Sequence, residues 1–247
     1  MSESILEVEN LSVSFGDQKV LENVNFSVAE SDVLAIIGPN GSGKSVLFRA
    51  LLGLVPYTGK IIWHDKVKIG YVPQKAYVEK EFPLTVSEFF SLKSASRPDI
   101  LKSLSAVGLV KPTGDHAGEH HLGHHILSRR VGVLSGGELQ RLLIAWSLIG
   151  HPNVLLFDEP TSGVDVGGEE TIYSILHELQ EKQGLTIILI SHDLNIVYKY
   201  ANNVMCLNRE QVCFGEPHAV LNPEELASVY GGEAKFYKHQ HTKHEHL

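Results

Sequence analysis

The chain has 247 residues, of which 43% are hydrophobic and 20% charged, and its formal net charge is −8. This length allows one large domain, or a domain with a substantial insertion, to bury a proper core. The acidic balance argues against nucleic acid as a partner, because phosphate binding needs a basic surface. No apolar run approaches the roughly 18 residues of a membrane span, and the N-terminal residues do not resemble a signal peptide. We therefore expect a cytosolic protein that can work at a membrane only as a peripheral subunit.

Hydrophobic periodicity predicts an α/β core that follows a short antiparallel segment. Alternating or continuous apolar runs predict strands at 5–15, 20–30, 33–38, twice within 61–74, and at 153–158, 185–191, 203–208 and 211–215. Spacings of three and four residues predict helices at 43–53, over much of 80–150, and at 167–183 and 195–201. Because buried strands alternate with helices, we expect a parallel sheet.

Two cysteines, Cys206 and Cys213, flank the predicted turn of the last hairpin. They could face each other across the two strands. In a reducing compartment we expect two free, half-buried thiols rather than a disulfide, and a Cys–His metal site is a weaker alternative.

The stretch GPNGSGKS fits the phosphate-binding pattern G-x-x-x-x-G-K-[ST] and lies between a predicted buried strand and a predicted helix. Its glycines allow the backbone to approach a phosphate closely, and the helix N-terminus adds a partial positive charge. Lys44 can reach the β- and γ-phosphates, and the Ser45 hydroxyl can ligate Mg²⁺. The predicted nucleotide-binding residues of this loop are Gly38, Pro39, Asn40, Gly41, Ser42, Gly43, Lys44, Ser45 and Val46.

Asp158 ends the predicted strand NVLLFD, at the sheet edge where open α/β sheets bind ligands. A carboxylate there can hold Mg²⁺, and Glu159 follows it directly. Glu159 is placed to polarise a water molecule against the γ-phosphate. Together with the glycine-rich loop, this pair predicts a site that binds and hydrolyses a nucleotide phosphate.

The segment LSGGELQR at 134–141 resembles the signature motif of ATP-binding-cassette ATPases. Other segments resemble further motifs of that family in order: Gln74 in GYVPQ, Asp165 in SGVD, and His192 in ISHDL. Phe15 occupies the position where an aromatic ring stacks on adenine. The resemblance covers about 5–215 and implies a P-loop NTPase core with an N-terminal antiparallel β subdomain and an inserted helical subdomain.

The resemblance also implies a role for each residue in a head-to-tail homodimer that closes on two ATP molecules. Glu159 would be the general base, His192 would contact the γ-phosphate, and Gln74 would sense Mg²⁺ and the attacking water. Asp165 would act across the dimer. The partner's ATP site would be completed by Ser135, Gly136 and Gly137. Two positions depart from the common pattern, Glu138 in place of Gln and Phe15 in place of Tyr.

Several segments, including KIGYVPQKAYVEKEFPLTVSEFFSL, resemble the ATPase subunits of bacterial metal importers, particularly the high-affinity zinc importer. This implies a peripheral subunit on the cytoplasmic side of the inner membrane, working with a permease and a periplasmic zinc-binding protein. Phe89 and Phe90 would receive the permease's coupling helix. The alternatives are a manganese or iron-chelate importer, a soluble non-transport ATPase of the same family, and a nucleotide-dependent metal store.

Histidines cluster in two places, DHAGEHHLGHH at 115–125 and the tail KHQHTKHEHL. Imidazole nitrogens suit Zn²⁺, so we expect the clusters to bind cytosolic Zn²⁺ weakly, as a buffer or as a feedback sensor, and a solvated insertion is the alternative. We expect the ATP-binding domain to span 1–232, with the helical subdomain at about 75–150 and the histidine-rich tail at 233–247. The candidate zinc ligands are His116, His120, His121, His124, His125, His239, His241, His244 and His246.

Overall fold

The computed structural model describes residues 3–64, 66–74, 78–110, 125–159 and 166–230. Its first sheet has three strands in the order β2-β1-β4. Strands β1 (Ser4–Phe15) and β2 (Gln18–Ala29) form an antiparallel hairpin, and β4 (Thr58–Trp63) pairs with the other edge of β1. The antiparallel pair predicted at the start of the chain is therefore confirmed.

The second sheet has six strands in the order β5-β6-β7-β3-β8-β9. Its first five strands are mutually parallel, and β9 is antiparallel to β8. The predicted parallel α/β core is confirmed. The strands are β3 (Val33–Ile37), β5 (Ile69–Val72), β6 (Val154–Asp158), β7 (Thr186–Ile190), β8 (Asn203–Asn208) and β9 (Glu210–Gly215).

Some helices connect strands of the sheets, and others form a separate helical region. Between β5 and β6, the chain forms α2 (Val86–Ser91), α3 (Arg97–Ala106), a helical segment at 125–128, a 3₁₀ turn (Val131–Val133) and α4 (Gly136–Ser147). The sequence did not predict the two short helices after β9. The remaining helices are α1 (Lys44–Leu51), α5 (Val166–Gln183), α6 (Leu194–Tyr200), α7 (Pro217–Val220) and α8 (Pro223–Tyr230). None of the helices in the described ranges has the length and apolar character that crossing a bilayer requires.

Two hydrophobic cores lie on opposite faces of the six-stranded sheet. Alternate residues of β3 divide between them: Ala35 and Ile37 belong to the core shared with the helical region, and Leu34 and Ile36 to the core shared with the three-stranded sheet and α1. Strands buried on both faces need continuous apolar sequence, which is the pattern observed at β3, β6 and β7.

The structure changes the interpretation of Phe89 and Phe90. Phe90 is fully buried within the helical region and cannot be a docking residue on its surface. Phe89 is partly buried and packs on Trp146, with ring centroids 5.4 Å apart. Leu92, two residues after Phe90, is the exposed apolar side chain of this segment, at 66% exposure.

The expectation of two free thiols is wrong, because Cys206 and Cys213 form a disulfide. They are direct partners in the β8–β9 hairpin, so the prediction that they face each other is confirmed. Their Cα atoms lie 4.7 Å apart, a separation that a disulfide can span. The register of the hairpin is what brings the two sulfur atoms together.

Candidate functional site

The glycine-rich loop leaves the carboxyl end of β3 and leads into α1. Gly38 has a φ of +154°, and a Cβ at this position would lie 2.0 Å from the Leu207 carbonyl oxygen on the neighbouring strand β8. Gly43, the N-cap of α1, has a φ of +99°. The Arg209 amide, after β8, donates to the Ser42 carbonyl at 3.0 Å. The loop therefore depends on glycine at its start and end and on the β8–β9 hairpin beside it.

Lys44, the first residue of α1, points its ammonium group back into the loop. Its Nζ donates to the carbonyl oxygens of Gly38 and Pro39, both at 2.8 Å, and the residue is only 7% exposed. Burial lowers the pKa of Lys44, while the negative charges of Glu159 and Asp158 oppose that shift. The loop thus holds a nearly buried cation next to two carboxylates.

Asp158 ends β6 at the same edge of the sheet and is buried. Burial raises its pKa, while a hydrogen bond with Ser45 and the charge of Lys44 act in the opposite direction. Its Oδ1 atom has no hydrogen-bond partner among the described residues. A buried carboxylate oxygen without a partner, next to a hydroxyl, is the type of oxygen donor set that Mg²⁺ prefers. The residues present therefore fit a Mg²⁺ ion bound between Ser45 and Asp158.

Glu159 brings two other predicted residues together. Its carboxylate accepts a hydrogen bond from the Gln74 side-chain amide and lies 3.4 Å from the His192 Nδ1 atom. The Glu159 side chain is 12% exposed and that of His192 is 63% exposed. Glu159 also has a φ of +46°, a conformation that costs a non-glycine residue free energy and often marks functional sites.

Part of this set of residues borders one open cleft of about 520 Å³, which lies within the size range of small-molecule sites. Asp158 and His192 are not among the residues that line it. Val20, on β2, lines the cleft as well, although no sequence motif pointed to it. Phe15 is not among the lining residues. It is 47% exposed at the end of β1, so it does not fill the core. The other lining residues are Asn40, Gly41, Gly43, Lys44, Ser45, Val46, Gln74 and Glu159.

The segment containing Ser135, Gly136 and Gly137 forms a different helix start, on α4. Ser135 is the N-cap, and its hydroxyl accepts a hydrogen bond from the Glu138 amide at 3.2 Å. The Glu138 carboxylate in turn accepts one from the Ser135 amide at 2.9 Å, which completes a capping box. None of these residues lines the cleft of the glycine-rich loop.

Glu138 also binds a guanidinium group. Arg129 donates from both Nη atoms to its two carboxylate oxygens, at 2.6 and 3.1 Å. The hydrogen bond from Arg129 is the main reason that the pKa of Glu138 falls to about 2. The negative charge at position 138 therefore has a structural partner that a glutamine would not engage as an ion pair.

Several predicted residues fall outside the described ranges. They are Asp165, four of the central histidines and all of the tail histidines. His125 is described and is exposed in the helical segment at 125–128. Among the described residues, no group of three or more His, Cys, Asp or Glu side chains is placed to hold a metal ion. The predicted zinc sites therefore remain predictions.

Comparison with known proteins decides the family. A family model described as ABC transporter matches residues 21–162, more than half of the 247 residues. The chain belongs to the ABC transporter family. The matched range includes the glycine-rich loop, Gln74, the Ser135 turn and the Asp158–Glu159 pair, whereas Phe15, Asp165 and His192 lie outside it.

Full-length relatives and solved structures agree with this membership. The ABC transporter chain is 38% identical to the zinc import ATP-binding protein ZnuC of Mannheimia succiniciproducens, over 98% of this chain and 88% of that protein. It is also 38% identical to the protein of the same name from Buchnera aphidicola subsp. Schizaphis graminum, over 96% of each. The ADP conformation of MJ1267, an ATP-binding cassette of an ABC transporter, matches with a TM-score of 0.74 and 27% identity, over 94% of this chain and 100% of that one.

The low pKa of Glu138 predicts how the Arg129 pair depends on pH. Because the pKa of Glu138 is lower in the folded protein, its ion pair with Arg129 stabilises the fold fully above the pKa of the unfolded chain, about 4.5. This stabilisation is lost as the pH falls toward about 2. Replacing Glu138 with Gln should therefore lower the free energy of unfolding at pH 7, and by progressively less at pH 4 and pH 3. Urea unfolding of both proteins at each pH measures the difference. In an Arg129→Ala background, the effect of Glu138→Gln on the free energy of unfolding should depend less on pH. An equal pH dependence in the two backgrounds would contradict the conclusion that Arg129 lowers the pKa of Glu138.

Proposed function

We propose that this chain is the ATP-hydrolysing subunit of a bacterial ABC importer that moves zinc ions into the cytoplasm. The observation that carries the proposal is the convergence of Lys44, Asp158, Glu159 and His192 at one edge of the sheet. Relatives named as zinc import ATP-binding proteins, aligned over nearly the whole chain, support the choice of cargo.

ATP would bind with its phosphates against the loop at 38–45. Lys44 would exchange its contacts with the Gly38 and Pro39 carbonyls for the β- and γ-phosphates, so its ammonium group would have hydrogen-bond acceptors in both states. Ser45, Asp158 and Gln74 would hold Mg²⁺, and a bound Mg²⁺ would supply positive charge to the phosphate oxygens. The exposed ring of Phe15 would stack on the adenine.

Glu159 would act as the general base. Its carboxylate would accept a proton from water as the water oxygen bonds to the γ-phosphorus and the bond to the bridging oxygen breaks, releasing ADP and phosphate. Gln74 and His192 both lie against this carboxylate, so they would orient it and the attacking water. The positive φ of Glu159 fixes the direction in which its side chain leaves the strand.

A second copy of the chain would complete each site. The turn at Ser135, Gly136 and Gly137 presents backbone amides and a hydroxyl at a helix N-terminus, which suits a phosphate, yet it does not line the cleft of its own chain. In a head-to-tail homodimer it would face the partner's ATP, and Asp165 would act across the same interface. Closure on ATP and opening after hydrolysis would drive the permease.

The subunit would sit on the cytoplasmic side of the inner membrane, bound to an integral permease that receives zinc from a periplasmic binding protein. The catalytic domain at 1–232 would contact the permease through its helical subdomain. The histidine-rich tail at 233–247 and the cluster at 115–125 would bind cytosolic Zn²⁺ weakly and slow the ATPase when zinc is abundant.

Replacing Glu159 with Gln should leave ATP binding within about twofold of native and lower the hydrolysis rate by about 100-fold or more, because the amide cannot accept the proton. Nucleotide binding and phosphate release measure the two effects. Glu181→Gln, on the exposed face of α5, is the matched control and should hydrolyse ATP at the native rate. Native hydrolysis by Glu159→Gln would remove Glu159 from the role of base.

Deleting the chain from its host should abolish high-affinity Zn²⁺ uptake and leave Mn²⁺ and iron uptake unchanged. Uptake of each metal is measured with a radioactive isotope, and a plasmid copy of the native chain should restore zinc uptake. A Glu159→Gln copy should not restore it. Loss of manganese or iron uptake instead would assign a different cargo, and unchanged uptake of all three would favour a non-transport ATPase.

Replacing the central histidines 116, 120, 121, 124 and 125 with Ser should weaken inhibition of the assembled transporter's ATPase by added Zn²⁺. The rate without Zn²⁺ should stay at the native value, because none of the predicted ATP-binding residues is replaced. A second variant, with the four tail histidines replaced by Ser, separates the contributions of the two clusters. An unchanged Zn²⁺ response in both variants would reject zinc regulation.

A further inference from the structure

The turn at Ser135 is held by a side chain from outside its own helix. Within α4, the capping box fixes Ser135 and Glu138 relative to each other. The Glu138 carboxylate then receives three hydrogen bonds, one from the Ser135 amide and two from Arg129. Any displacement of Arg129 would therefore move the group that fixes the Ser135 amide.

The geometry of this ion pair distinguishes it from an ordinary surface pair. Both Arg129 nitrogens are engaged in a fork, and the two side chains are only 28% and 25% exposed. Exposed single-contact pairs contribute little to stability, whereas bidentate arginine–carboxylate pairs impose a defined orientation. Arg130, the next residue, is exposed and has no such side-chain pair among the described contacts.

The backbone around Arg129 is attached to another part of the helical region. The Val86 amide donates to the Arg129 carbonyl at 2.9 Å, and the Val131 amide donates to the Leu84 carbonyl at 3.0 Å. A Cβ on Gly132 would lie 2.2 Å from the Glu79 carbonyl oxygen, so the two backbones are in close contact there. The chain that carries Arg129 is thus fixed to the segment at 79–86, which follows Gln74 in sequence.

We infer that Arg129 is a positioning residue that, through Glu138, fixes the Ser135 turn in the orientation needed to contact nucleotide. It joins the α4 N-terminus to the segment at 79–86, which follows Gln74 in sequence, so that these two parts of the helical region move as one unit. The inference rests on the proposed role of the Ser135 turn in ATP hydrolysis. Arg129 itself does not line the cleft, and its action is through Glu138.

The decisive experiment compares Arg129→Ala with Arg130→Ala in the assembled transporter. Arg129→Ala should lower the ATPase rate at saturating ATP by about 10-fold or more, since a charge-assisted bidentate contact is lost. ATP affinity of the separate subunit should stay within about twofold, because the loop at 38–45 is untouched. Arg129→Lys should recover part of the rate, and Arg130→Ala should retain the native rate.

Glu138→Gln and the double variant Arg129→Ala/Glu138→Gln test whether the pair acts as a unit. Glutamine keeps the oxygen that caps Ser135 but loses the charge that Arg129 binds. The rate of the double variant should equal that of the slower single variant. Rates that fall by the product of the two single effects would overturn the inference.

Thermal unfolding and ATP affinity are measured for every variant, so that a loss of rate caused by misfolding or weak ATP binding is distinguished from a loss of positioning. Equal rates for Arg129→Ala and Arg130→Ala would overturn the inference. A rate loss fully explained by the unfolded fraction or by weaker ATP binding would overturn it as well. ATP-dependent dimerisation of Glu159→Gln, followed by gel filtration, tests the proposed function separately. If it stays monomeric, the proposed role of the Ser135 turn across the dimer falls. If it dimerises on ATP while Arg129→Ala hydrolyses ATP at the native rate, only the positioning role of Arg129 is overturned.

Discussion

Successive side chains of the central strand β3 enter two different hydrophobic cores, so neither face of the six-stranded sheet is open to a ligand. The carboxyl edge of the parallel strands is where loops can approach each other without disturbing either core. The glycine-rich loop and His192 follow strands that end at this edge, and Asp158 is the last residue of another such strand. Two-sided burial therefore determines where the nucleotide chemistry of the molecule can take place.

Two positions at this edge have a backbone geometry that few residues can adopt. The sheet interior is packed and cannot adjust, so the loops absorb the geometry that the site requires. Gly38 passes too close to the β8 backbone for any side chain, and Glu159 adopts a positive φ. Both features keep polar groups directed into the cleft before nucleotide binds. The protein therefore needs less reorganisation of these groups on binding, and the sheet need not move.

Local sequence patterns were sufficient to predict the sheets, and they pointed to the glycine-rich loop that lines the cleft. Continuous apolar runs mark strands buried on both faces, and the glycine-rich loop has a recognisable spacing. What was missed depends on partners distant in sequence. Val20 reaches the cleft because of how the β1–β2 hairpin packs, and Arg129 meets Glu138 because of how the helical region folds. The disulfide follows from the register of the β8–β9 hairpin, which places the two cysteines opposite each other. The redox state of the compartment, on which the expectation of free thiols rested, contains no information about that register.

The position of β3 in the sheet has a consequence for synthesis of the chain. Its two neighbours, β7 and β8, come from residues 186–190 and 203–208, and the loop that follows β3 is held by the Arg209 amide. During translation, this apolar strand leaves the ribosome long before either neighbour exists. An unpaired hydrophobic strand is prone to aggregate, so the nascent chain should need protection by a chaperone until about residue 210 has emerged. Truncated products that retain the whole glycine-rich loop would still be unable to form the pocket.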